Sequence, residues 1–170
     1  MNNNGFSLIE LVITVVIIAV LFGLALPSFN QSMQSTRVRS TASALVDSLH
    51  LARTMAVTKS HRVTIRPFPE WSLGWQIFVD ANEDGLLSPL EAEISQHHVA
   101  SGVRVEPDMT KNTYISYAGS GETQQLTGGM FGGTIRVCPT GENSDGIVIT
   151  ISMTGRVRTA KTQPGDCIPS

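Results

Sequence analysis

Basic residues are missing from the whole N-terminal region. The first is Arg37, and Glu10 is the one acid before Asp47. A secretory signal opens on a positive segment, so a chain that begins "MNNNGFSLIEL" with an acid ahead of its apolar run argues against a signal peptide cut near "GLALP". Cysteine is nearly absent as well. Cys138 and Cys167 are the only two, with neither CxxC nor zinc-type spacing, which disfavours metal ligation. There is no HExxH, no nucleophile elbow and no convincing pair of catalytic carboxylates, so no enzymatic activity is expected. His97 and His98 are adjacent on a presumed strand and so point to opposite faces, which prevents them from holding one metal together. The Gly-rich "TGGMFGGT" from Thr127 to Thr134 lacks the lysine and the helix of a phosphate loop and reads as a flexible connection.

Charge is also missing from Leu11 to Leu26, "LVITVVIIAVLFGLAL", where Thr14 is the sole polar side chain. Taken from Phe6, the run spans roughly 30 Å as one helix, the thickness of a bilayer core, and predicts a membrane anchor. With the body outside the cytoplasm, Cys138 and Cys167 are expected to form a structural disulfide around the segment "GRVR".

Beyond Pro27, a predicted kink, "STASALVDSLHLARTMAVTKS" places Ala42, Leu45, Leu49, Ala52 and Ala56 at alternating steps of three and four, one face of an amphipathic helix. Arg39, Ser43 and Arg53 fall off that stripe. From His61 the pattern changes to short alternating runs bounded by Gly, Pro, Asn and Asp: "HRVTIRP", "GWQIFVD", "GVRVEP", "TYISYAG", "TIRVCP", "GIVITISM" and "RVRTA". The body is therefore expected to be α+β, a helix followed by mostly antiparallel strands.

The formal net charge of -2 averages unlike regions. Ser28 to Arg66 holds six basic residues against Asp47, and Pro67 to Thr110 holds eight acids against Arg104. Arg62 and Arg66 are a candidate cation patch. In the acidic region "DANEDGLLSPLE" fits the calcium-loop template at Asp80, Asn82, Asp84, Gly85 and Glu91. The preceding "WQIFV" reads as a strand, however, and Pro89 would interrupt an exiting helix, so a hairpin loop using Asp, Asn and Gly for turn geometry is the favoured reading and a calcium-binding module the alternative. Near the C-terminus, "GIVITISM" sets Ile147, Ile149, Ile151 and Met153 on one face, Thr154-Gly155 makes a tight reversal, and "RVRTA" returns as its partner. Period two puts Arg156 and Arg158 on one face and Val157 on the other. Those cations, with Lys161, either guard an edge strand or contact phosphates.

Gly5-Phe6, Glu10 and the apolar run ending at Pro27 resemble the type IV prepilin signal. With the "SLHLARTMAVTKS" helix end, the "GWQIFVDANEDG" strand and loop, and the final "GRVR", the chain resembles the GspH/FimT/FimU family of minor pilins and pseudopilins over nearly its whole length. The resemblance implies a pilin-like fold, a long N-terminal helix packed on two antiparallel sheets. It implies a leader at 1–5, a transmembrane or filament-core helix at 6–27, its amphipathic continuation at 28–60 and a β domain at 61–170. Prepilin peptidase would cut between Gly5 and Phe6, Phe6 would be N-methylated, and Glu10 would pair with a neighbour's N-terminal amine. The implied location is the inner membrane, single-pass with a periplasmic C-terminal domain, and then a pilus or pseudopilus containing other major and minor pilins. FimT-like members add double-stranded DNA, bound without sequence specificity for natural transformation, with Gly155, Arg156, Arg158 and Lys161 as the matching contacts. A GspH-like pseudopilin of a type II secretion system is the neighbouring alternative. No cofactor is expected apart from the calcium alternative.

Overall fold

The computed structural model describes residues 7–108, 114–140, 145–162 and 165–167, and within the long helix the side chains of 8–21 and 32–59. Gly5 and Phe6 lie outside the described residues. The chain divides into two compact units, 1–34 and 35–170. One helix, α1 (Leu8–Lys59), contributes to both.

In the first unit α1 opens with the Glu10 N–H donating to the Ser7 carbonyl, and Glu10 sits in the first turn, where a negative charge suits the helix dipole. From Leu8 to Leu21 the apolar side chains are exposed in every direction, from Val12 at 46% to Leu8 at 81%. Among the described residues no helix is long and apolar enough to cross a membrane. The run expected to do so, Phe6 to Leu26, begins and ends outside the described side chains.

In the second unit the same helix becomes one-sided. Val38, Ala42, Leu45, Leu49, Ala52 and Ala56 are buried. The helix stops where Ser60 adopts a left-handed φ of 53°, and Lys59 in the last turn faces the negative end of the dipole.

The expected strands form β1 (Val63–Pro67), β2 (Gly74–Val79), β3 (Glu93–His98), β4 (Val103–Pro107), β5 (Ile115–Tyr117), β6 (Gly133–Pro139), β7 (Ile147–Ile151) and β8 (Val157–Lys161). They make two antiparallel four-stranded sheets, ordered β3-β2-β1-β5 and β4-β6-β7-β8. The inward residues, among them Ile65, Ile77, Ile115 and Tyr117 from one sheet and Val105, Ile135, Val137, Ile149 and Ile151 from the other, join the helix stripe in one core. Trp75 reaches α1 by donating its indole N–H to Ser48 Oγ at 2.8 Å, and its ring stacks on His97 with centroids 4.5 Å apart.

Two details differ from expectation. The strand β7 ends at Ile151, so Met153 leaves the inward row and is 55% exposed, because the chain is already turning there. The Gly-rich segment is built into the structure, with Phe131 buried in the core and Gln124 bridged to Met130.

Leu49 is fully buried at the centre of the stripe. Leu49→Ala should lower the unfolding free energy by about 2–5 kcal/mol, read from urea denaturation midpoints at unchanged slope.

Candidate functional site

Antiparallel pairing of β7 with β8 places Thr150 beside Arg158 and Ile151 beside Val157. Val157 packs against the core, and Arg156 and Arg158 are exposed, as the period-two pattern requires. Among the described residues neither arginine side chain takes part in a hydrogen bond or ion pair. β8 is an edge strand, and the register separates Lys161 from Arg158. Lys161 sits opposite Ile147 and lines a groove against α1 with Val38 and Arg39.

The turn that carries Arg156 is fixed from beneath. Gly155 has φ +76°, and a Cβ there would run into the Gly121 carbonyl oxygen and crowd Tyr117, so only glycine fits without displacement. Arg53 on α1 donates through Nε to Gly121 O at 2.9 Å and through Nη2 to Thr154 O at 3.0 Å. Thr123 adds hydroxyl contacts to the Phe131 and Met153 carbonyls. Beside this joint, burial pushes the Tyr117 hydroxyl well above its ordinary 10.0. Arg53 was legible in sequence only as a cation one step from the stripe, because its partners are carbonyls brought close by folding.

Cys138 and Cys167 form the expected disulfide, 29 residues apart, around the β7–β8 hairpin. Arg104 secures the same end by donating to Cys167 O at 2.8 Å.

The Asp80–Glu91 loop follows a strand, β2. Asp80 is fully buried and its Oδ2 accepts the Thr64 hydroxyl at 2.8 Å and the Gly85 N–H at 3.1 Å, while Oδ1 has no hydrogen-bond partner. Asn82 Oδ1 accepts the Asp84 N–H, and Asp84 Oδ1 accepts the Leu86 N–H. Glu91 accepts Ala81 N–H through Oε1 and Ser88 N–H through Oε2, both at 2.9 Å. These oxygens close the loop on itself. Among the described residues no group of three or more His, Cys, Asp or Glu side chains is placed to hold a metal ion.

The candidate cation patch at Arg62 and Arg66 does not exist as a free surface. Arg62 is 4% exposed and donates to Glu83, Gln124 and Gln125, each at 3.3 Å. Arg66 donates to Gly85 O at 2.8 Å. Both cations pin the acidic loop.

Two outcomes follow from this geometry. Gly155→Ala should cost more than about 1 kcal/mol, since an L side chain meets both a left-handed φ and an occupied space; chemical denaturation of the variant measures it. Burial, the largest influence, raises the Asp80 carboxyl above its ordinary 3.8, partly offset by the Thr64 and Gly85 hydrogen bonds and by Arg62. A raised value means that the folded chain holds the proton more tightly than the unfolded one. Its stabilisation is complete below pH 3.8 and is lost as pH rises through the raised value. Relative to Asp80→Asn, the wild type should lose stability over that window, and thermal melts across pH would reveal a flat difference if Asp80 were unshifted.

Known proteins agree with this architecture. The family model of the type II transport protein GspH matches residues 41–155, and that of the prokaryotic N-terminal methylation motif matches residues 1–26. The pilin-like protein PilA1 of Thermus thermophilus is 30% identical over 112 residues, which cover 64% of this chain and 70% of that protein. The crystal structure of the type IV minor pilin FimU of Pseudomonas aeruginosa has a TM-score of 0.63 at 21% identity, covering 76% of this chain and 96% of that one. The minor pseudopilin EpsH from the type 2 secretion system of Vibrio cholerae has a TM-score of 0.55 at 14% identity, covering 73% and 96%. At those identities the two structures establish the fold. On the match to residues 41–155 and the motif at 1–26, the chain belongs to the GspH family of minor pilins and pseudopilins.

Proposed function

We propose that this chain is a minor type IV pilin, a structural subunit that takes part in initiating or assembling the filament. The observation that carries the reading is the start of α1, Leu8 to Leu21, exposed on every side and apolar apart from Glu10 and Thr14. A helix apolar all round is stable only when lipid or neighbouring helices cover it. In this reading residues 6–27 hold the chain in the inner membrane with the β domain in the periplasm, prepilin peptidase cuts between Gly5 and Phe6, and Phe6 is N-methylated. Glu10 then pairs with the N-terminal amine of a neighbouring pilin. An acid near hydrocarbon costs about 2.5–3.5 kcal/mol at mid-helix, and the amine offsets that cost.

Glu10→Ala should leave the protein in the membrane fraction with its disulfide formed while filament assembly falls at least about tenfold, the equivalent of about 1.4 kcal/mol. Counting surface filaments beside immunoblots of membranes tests this. Unchanged filament numbers would remove Glu10 from assembly. Loss of protein secretion with normal pili in a deletion strain would favour the type II secretion alternative.

DNA capture is the second reading, favoured by the exposure and lack of partners of Arg156 and Arg158 on a turn held by Arg53. Two such cations would grip phosphates without reading sequence. For the full chain in detergent, duplex-DNA affinity should fall with salt at a log-log slope of about -1.8 if two phosphates are neutralised. An Arg156→Ala, Arg158→Ala variant of equal melting temperature should flatten that slope; identical slopes would leave both arginines as guards of the β8 edge. Calcium is not part of the reading, because most of the loop oxygens named for it already accept N–H donors.

A further inference from the structure

The outer face of the sheet β4-β6-β7-β8 carries a row of polar side chains that the fold leaves unused. Register sets the row: Arg158 on β8 lies directly opposite Thr150 on β7, and Thr150 directly opposite Thr134 on β6. Their neighbours Ile135, Ile149 and Val157 face the core, so period two turns all three outward. With strands about 4.8 Å apart, the row is roughly 10 Å long. Arg158 and Thr150 are exposed, Thr134 is half-buried, and among the described residues neither threonine hydroxyl makes a hydrogen bond.

The row beside it differs. There Ser152 pairs with Arg156, but its Oγ already accepts the Arg156 N–H at 3.1 Å and meets Thr154 Oγ1 at 3.0 Å. Free hydroxyls next to an unpaired guanidinium are therefore a property of the Arg158 row. That row ends at β4 on an acid. Asp108 donates its N–H to the Thr134 carbonyl at 2.8 Å, and its Oδ2 lies 3.6 Å from Arg136 Nη1, which draws that guanidinium to the same end. Glu106, opposite Arg136, is paired with Arg104 at 3.2 Å. The third cation of β8, Lys161, falls on the other face with Val157 and Thr159, against α1.

On the reading that this chain captures DNA, we propose that the backbone held by Arg156 and Arg158 runs from β8 across the outer face of β7 and β6, where Thr150 and Thr134 donate hydroxyl hydrogen bonds to its phosphates. Asp108 ends the track, and Lys161 is not part of it. Arginine and threonine are both contacts that position a phosphate backbone without reading sequence. Threonine also suits a strand by shape alone, so valine, which keeps the shape, isolates the hydroxyl.

The test uses the full chain in detergent and a duplex of random sequence, titrated from low to physiological salt. Thr150→Val should weaken binding about fivefold, the loss of one hydrogen bond. The log-log salt slope should not change, because a neutral donor releases no counterion. Asp108→Asn removes the terminal acid and frees Arg136, so binding should tighten and the slope steepen from about -1.8 towards about -2.7 as a third phosphate is neutralised. Lys161→Ala should leave the slope as it is. Equal melting temperatures certify the folding of each variant. If the Arg156→Ala, Arg158→Ala variant flattens the slope while either Thr150→Val or Asp108→Asn matches wild type, the track across β7 and β6 is wrong and DNA capture by the two arginines stands. A slope flattened by Lys161→Ala as far as by one arginine change would send the backbone over the β8 edge towards α1 and overturn the proposal as well. Both ideas fall together if the double arginine variant binds as the wild type does.

Discussion

The burial of one helix stripe against two sheets is the contact on which the rest of the second unit depends. Each sheet has an apolar face that must be covered, and the side chains from Val38 to Ala56 cover both. Ala42, Ala52 and Ala56 are small enough to let backbone approach, and Leu45 and Leu49 fill the space between them. Because this contact fixes where the sheets lie, it also fixes the polar links: Trp75 meets Ser48, and Arg53 meets two carbonyls more than sixty residues away in sequence.

Those links explain why cations conspicuous in the sequence have such different roles. Arg53, Arg62 and Arg66 are consumed by backbone carbonyls, one side-chain amide and one carboxylate, where they hold loops to the core. Arg156 and Arg158 remain exposed on an edge strand, since their side of β8 has no neighbouring element among the described residues. A buried guanidinium must be hydrogen-bonded or it destabilises the fold, whereas an exposed one is left to solvent or to a ligand. The same rule governs the acidic loop, whose carboxylates turn towards backbone N–H groups.

The two units divide the work of a pilin-like subunit along one helix. Where α1 is apolar all round no described residue of its own unit covers it, and where it is striped it completes a core. The apolar surface of α1 is the feature on which the proposed assembly with other chains rests.

By itself the sequence determined the order of elements, the inward face of the helix and the face assignments within the β7–β8 hairpin. These depend on periods of 3.6 and two, which any local stretch displays. It also identified the family, through Gly5, Phe6, Glu10 and the apolar run, and the disulfide between the only two cysteines. Only the tertiary structure decided which charges are free. Arg62 and Arg156 look alike in a string of letters, yet one is 4% exposed and the other lies on the surface. Partnership of that kind depends on carbonyls and side chains distant in sequence, such as Gly121 O for Arg53 and Gln125 O for Arg62, and no local period encodes it. The end of β7 before Met153 and the separation of Lys161 from Arg158 were settled the same way, by where the chain had to turn and by the register of its neighbour.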